Sequence, residues 1–85
     1  MDAVNGMIVR SCAGRDKGNF LVVVSMDECF VYLADGKERR LASPKKKRIK
    51  HVKFTNTVID TESLTDKKLR SVIREFSNAP HDSQT

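Results

Sequence analysis

Between Met7 and Phe54 the apolar residues fall into short runs separated by polar, glycine-bearing turns. Short β-branched and aromatic runs bounded in this way predict strands, with successive side chains pointing to opposite faces. Met7-Ile8-Val9 opens a first strand that continues through Arg10-Ser11-Cys12. Residues 13–18, Ala-Gly-Arg-Asp-Lys-Gly, form a polar loop bounded by glycines. Asn19 to Met26 is a second strand. Its unbroken run Phe20 to Val24 predicts a bent strand that buries parts of both faces. Asp27-Glu28 is a short turn, and Cys29 to Ala34 is a third strand. Asp35-Gly36 carries the signal of a tight type I′ hairpin, whose two central positions need positive φ. Arg39 to Ala42 then returns as a fourth strand. Pro44 has no N–H and marks a break or an edge position. Arg48 to Phe54 alternates, Ile49 facing away from Lys50 and Val52 from Lys53, and reads as a fifth strand with one cationic face.

Five short strands in about fifty residues predict a mainly β domain, a small barrel or strongly curled sheet, because closure removes exposed edges. Beyond it the period changes. Leu69, Val72, Ile73 and Phe76 follow helical spacing, so residues 64–77 read as an amphipathic helix that docks on the sheet. Ser63 or Thr65 can cap it, and Ser63-Leu64-Thr65-Asp66 resembles a capping box with Asp in the place of Glu. Burying that stripe is worth on the order of 6–10 kcal/mol before entropy. The chain therefore divides into a barrel over 1–54, a linker over 55–63, the helix over 64–77 and a polar tail over 78–85. Eighty-five residues leave room for one small core and exclude a second. No apolar run exceeds six residues, too short for a membrane span, and the expected location is the cytoplasm.

Charge changes this picture. The net charge is +5, and it is unevenly spread. Residues 1–35 hold three basic and five acidic side chains. Residues 36–53 hold nine basic and one acidic, a net +8. Residues 54–85 hold four basic and five acidic. A cationic field this concentrated points to a polyanion or to a solvated run that confers solubility. Cys12 and Cys29 are too few for a disulfide framework and lack metal-ligand spacing, so they read as two reduced thiols, and no metal or cofactor is expected. No pattern pairs a nucleophile with a general base and no P-loop is present, so an enzyme is not expected.

The most specific feature is the glycine-bounded loop. Gly14 and Gly18 admit positive φ and close backbone approach, and Arg15 and Lys17 project from the same tight turn, where they can grip phosphate oxygens. Asp16 between them can orient Arg15 or cap a turn. The segment from Gly6 to Gly18, followed by Phe20 to Val24, resembles a KOW motif: strand, basic glycine loop with Gly18 as the key glycine, strand. With Tyr32-Leu-Ala-Asp-Gly36 and the Lys-rich stretch Pro44 to His51, residues 4–54 resemble bacterial KOW-domain RNA-binding proteins, relatives of large-subunit ribosomal proteins of archaea and eukaryotes. Cys12 departs from the polar or basic residue expected there. The resemblance implies an SH3-like barrel that binds ribosomal or other structured RNA without catalysis. The expected partners are RNA and ribosomal proteins, and the expected state is a monomer. The resemblance also implies a loop site of Gly14, Arg15, Lys17 and Gly18, a basic wall of Lys45, Lys46, Lys47, Arg48, Lys50 and His51, and an extension through Arg39, Arg40 and Lys53.

Binding of this kind is dominated by phosphates. Phe30 and Tyr32 share one face of their strand and are candidates for stacking on bases, but core or half-buried packing is the expected role, which favours recognition of RNA by shape and backbone. Pro44-Lys-Lys-Lys-Arg48 also matches a nuclear import signal, although it precedes an alternating strand where such signals are flexible. No lipidation motif or cationic amphipathic helix supports a membrane role. The rival reading is a protein-binding barrel in which the acidic spacer Asp60-Thr-Glu62 carries the contact.

Overall fold

In the computed structural model, which describes residues 5–78, the chain forms five strands, a 3-10 turn and one helix. The strands are β1 (Met7–Ser11), β2 (Phe20–Met26), β3 (Phe30–Ala34), β4 (Lys45–Arg48) and β5 (Val52–Val58), and the helix is α1 (Asp66–Asn78). They make one antiparallel sheet in the order β4-β3-β2-β1-β5. The two edge strands, β4 and β5, are joined only by the 3-10 turn Ile49–His51. In a flat sheet those edges would stand about 19 Å apart, four strand spacings. A three-residue 3-10 turn advances only about 6 Å. The sheet is therefore rolled up. The turn is pinned to both sides, Ile49 N–H donating to Cys29 O at 2.9 Å and Cys12 N–H donating to His51 O at 2.8 Å. This is the SH3-like barrel with a C-terminal helix.

Alternation along the strands sorts the apolar side chains into two clusters. Met7, Val9, Leu21, Val23, Val31 and Leu33 fill the inside of the barrel, with Ile49, Val52 and Phe54 against them. Ile8, Val22 and Ala34 point to the other face and meet Leu69 of α1, with Phe20, Val24, Val72, Ile73 and Phe76 around them. The run Phe20 to Val24 is apolar throughout because β2 is covered on both faces. Its register against β3 shifts between Val23 and Ser25, the bend expected of that strand. The helical stripe docks as its spacing predicts. Leu69 is fully buried and the other three residues are half-buried, so the docking gain lies toward the low end of the expected range. Phe76 adds an edge-to-face contact with Phe20, centroids 5.0 Å apart.

Of the two candidate caps Thr65 is the one used, its hydroxyl accepting from Lys68 N–H at 3.2 Å. Other local readings are corrected. Asp66 does not close a capping box; its carboxylate accepts from Leu41 N–H at 2.8 Å and ties the helix start to the loop 35–44. The fourth strand is not Arg39 to Ala42 but Lys45–Arg48, and the fifth begins at Val52 and runs past residue 54 to Val58. Residues 49–51, expected in a strand, form the turn that lets the sheet close. Of the expected tail 78–85, Asn78 ends α1 and the remainder lies outside the described residues.

Asp35-Gly36 does not make a type I′ hairpin, because Asp35 keeps negative φ and only Gly36 is positive, at 79°. Instead Asp35 Oδ1 accepts from Lys37 N–H at 2.8 Å and Arg39 N–H at 2.9 Å, and starts the longer loop 35–44. Gly36 is buried under the first turn of α1, where a β-carbon would run into the carbonyl oxygen of Asp66, and its own carbonyl accepts from Arg70 Nη1 at 2.8 Å. Gly36→Ala combines the strained φ with a clash against backbone and is expected to lower the unfolding free energy by about 2–4 kcal/mol. At Gly18, where nothing stands within 4 Å of a β-carbon, only the φ of 90° is strained, and Gly18→Ala is expected to cost about 1 kcal/mol. Urea denaturation of the two variants beside the wild type measures the difference; equal costs would remove the close approach as the cause.

Candidate functional site

The loop between β1 and β2 is built around Asp16. Gly14 and Gly18 sit at φ 83° and 90°, and backbone bonds close the turn: Gly18 N–H to Ser11 O at 2.8 Å, Ser11 N–H to Asn19 O at 2.9 Å and Asn19 N–H to Asp16 O at 2.9 Å. The Asp16 side chain points back toward the barrel, away from the role of orienting Arg15. Its Oδ1 accepts from Lys47 Nζ at 2.9 Å and lies 2.8 Å from the hydroxyl of buried Ser11. Lys47 Nζ also donates to Ala13 O at 2.8 Å. The other Asp16 oxygen is buried without a hydrogen bond and faces the Lys45 ammonium at 3.5 Å.

Burial by itself would raise the Asp16 pKa, but the hydrogen bonds from Lys47 and Ser11 and the charges of Lys47 and Lys45 outweigh it and bring it down to about 2. These two ion pairs, both on Asp16, are the ion pairs among the described residues.

Lys45, Lys46, Lys47 and Arg48 do not form one wall, because β4 is a strand and splits them by face. The register opposes Val31 to Lys47 and Leu33 to Lys45, residues of the inner face. Lys47 is 8% exposed and Lys45 is half-buried. Their ammonium groups hold the loop. Lys46 and Arg48 are exposed on the outer face, opposite Tyr32 and Phe30.

With Asp16 used internally, Arg15 and Lys17 stand exposed. Arg15 lines an open cleft of about 530 Å³ between this loop and the loop 35–44, where Arg39 and Lys45 are accompanied by the acids Asp16, Asp35 and Glu38. Two predicted site residues distant in sequence, Arg15 and Arg39, thus share one cleft. Arg40 is exposed on the same loop 35–44. Lys50 is exposed on the 3-10 turn, where His51 is half-buried and contributes its carbonyl to Cys12. Lys53 is exposed on β5 directly opposite Arg10, a like-charge cross-strand pair that protein contacts alone disfavour. Arg10 was not among the expected site residues; its place between inward-facing Val9 and buried Ser11 is the signal that marks it as outward. Ser11 was missed for the same reason, a polar residue at a strand position that alternation buries.

Among the described residues there is no group of three or more His, Cys, Asp or Glu positioned to hold a metal ion, and no helix long and apolar enough to cross a membrane. Cys12 and Cys29 are exposed free thiols. In the acidic spacer, Asp60 Oδ1 accepts from Glu62 N–H at 2.9 Å and closes a local turn. No protein-family model matches the chain, and no curated protein matches it.

The Asp16 network makes stability depend on acid in one direction. The folded-state pKa of about 2 lies below the ordinary 3.8, so the stabilisation is complete above about pH 5 and is lost as the pH falls through 4 toward 2. Its size is about 2 kcal/mol. Asp16→Asn is expected to lower stability at pH 7 by about that much and to flatten this acid limb. Lys47→Met, which strands the carboxylate, is expected to cost about 3 kcal/mol or more. Denaturant titrations from pH 2 to 7 measure both; an acid limb unchanged in Asp16→Asn would assign it to other carboxylates.

Proposed function

We propose that this chain is a non-catalytic RNA-binding domain that grips structured RNA by its phosphate backbone. The observation that carries this reading is the fate of the single acid in the glycine loop. Asp16 is spent on Lys47 and Lys45 inside the barrel mouth, so Arg15 and Lys17 are exposed without an ion pair among the described residues, and Arg15 shares its cleft with Arg39 as well as with Asp35 and Glu38. Positive φ at Gly18, with open space where a side chain would stand, leaves room for a second backbone to approach. Lys46, Arg48, Lys50 and the pair Arg10–Lys53 extend the positive surface around the barrel. A polyanion relieves the mutual repulsion of these cations and releases counterions on binding. Ribosomal RNA, with ribosomal proteins beside it, is the partner to which the loop resemblance points, and the cytoplasm is where this domain would meet it.

Because Lys45 and Lys47 hold the loop together, reversing the whole lysine run would test folding as much as binding. The informative variant neutralises exposed cations that form no ion pair among the described residues: Arg15→Gln, Lys17→Gln and Arg39→Gln together. If about five phosphates are neutralised, log K for a folded RNA hairpin falls with log salt at a slope of roughly −3.5 to −4.5. The triple variant is expected to bind about tenfold or more weakly, with a slope shallower by about 2–3 and an unchanged melting temperature. Fluorescence anisotropy with a labelled hairpin across a potassium chloride series makes the measurement. Equal affinity and slope in wild type and variant would refute this site.

A further inference from the structure

The outer face of β3 and β4 carries an arrangement that phosphate binding at the loop does not use. Val31 and Leu33 enter the inner cluster, so Phe30 and Tyr32 point the other way. Further along the same outer face, Ala34, Val22 and Ile8 are covered by α1, but neither Phe30 nor Tyr32 belongs to either apolar cluster, and both residues are half-buried. The β4 register sets Arg48 opposite Phe30 and Lys46 opposite Tyr32. Lys46 Nζ lies 4.2 Å from the centroid of the Phe30 ring, and Arg48 Cζ lies 5.6 Å from it. Neither cation forms a close ion pair among the described residues, although the Asp27 carboxylate, whose pKa is lowered chiefly by the hydrogen bond from the Cys29 N–H, also feels the Lys46 charge.

The Tyr32 ring is held in place. Its hydroxyl donates to Asp27 Oδ2 at 3.1 Å, while Asp27 Oδ1 accepts from the N–H groups of Cys29 and Phe30 at 3.2 and 3.0 Å. The bond to the Asp27 carboxylate raises the Tyr32 pKa, so the phenol stays protonated and neutral. A fixed aromatic face loses little freedom on binding. The contact of Lys46 with Phe30 is of the exposed cation–π kind and is exchangeable. A π-face stacking on the ring would compete with the ammonium for it and free Lys46 for a phosphate.

We infer that this face, continuous with the basic surface through Lys46 and Arg48, takes an unpaired nucleobase of a single-stranded RNA segment, the base stacking on Phe30 and Tyr32 and the flanking phosphate meeting Lys46 and Arg48. The inference rests on the reading that the chain binds RNA and adds to it which part of the RNA meets this side of the barrel. Aromatic platforms beside cations are the sequence-tolerant means of holding unpaired bases.

Tyr32 is the one tyrosine and the chain has no tryptophan, so tyrosine emission reports on this face alone. The test titrates the full chain with a short oligouridine, a blunt RNA duplex, inorganic polyphosphate and a poly-glutamate peptide, following Tyr32 emission and affinity. Oligouridine is expected to quench Tyr32, whereas the duplex binds without quenching and neither polyphosphate nor poly-glutamate quenches. Phe30→Leu, which keeps an apolar side chain, is expected to weaken oligouridine about tenfold and to leave the duplex affinity within twofold. Duplex binding combined with oligouridine that neither quenches nor responds to Phe30→Leu overturns this inference and leaves the phosphate site standing. Quenching by poly-glutamate equal to that by oligouridine overturns it in favour of an acidic protein partner. Failure of both RNAs to bind removes the RNA reading and this inference together.

Discussion

The contact between Lys47 and Asp16 is the constraint on which the candidate surface depends. The loop between β1 and β2 carries no large apolar side chain to anchor it. Its position comes from a carboxylate turned inward onto an ammonium supplied by β4, with Ser11 below and the Ala13 carbonyl sharing the same donor. A charge pair with this little exposure is a weak source of net stability when intact, but removing one partner is costly. That asymmetry makes it a positional device. It also takes up the one negative charge in the loop, so Arg15 and Lys17 are exposed without an ion pair among the described residues.

The opposite wall of the cleft is held by other means. The loop 35–44 is fastened to α1, through Leu41 N–H on the Asp66 carboxylate, Arg70 on the Gly36 carbonyl, and the close approach of Gly36 to the helix backbone. The helix therefore does more than cover Ile8, Val22 and Ala34. It positions the segment that bears Arg39 and Arg40. A sheet this small, apolar on both faces of its central strand, needs such a cover, and the cover has become part of the scaffold for the basic surface.

Legibility followed the range of the forces involved. The strands β1, β2 and β3 and the docking stripe Leu69, Val72, Ile73 and Phe76 were readable because alternation and helical spacing are local properties that burial enforces. Asp35-Gly36 misled because a hairpin signal describes only what two residues can adopt. Asp35 instead bonds the backbone of Lys37 and Arg39, and Gly36 serves the helix packed against it. The fourth strand was consequently placed at 39–42, several residues early. Likewise the run Lys45 to Arg48 was legible as charge and not as geometry. Once the run is a strand paired to β3, period two sends Lys45 and Lys47 inward and leaves Lys46 and Arg48 on the face of Phe30 and Tyr32.

By itself, then, the sequence determined a small mainly β domain with a docked helix, a glycine loop able to turn tightly, and a concentration of positive charge in residues 36–53. Each of these follows from neighbours in the chain. Tertiary structure decided how the charges are used. It made Lys47 internal, turned Asp16 away from Arg15, joined Arg15 to Arg39 across a cleft, and drew residues 49–51 out of a strand into the turn that closes the barrel. The reason is that a side chain's partner depends on register and on strand order, and both are fixed only when the apolar faces of the whole sheet are buried together.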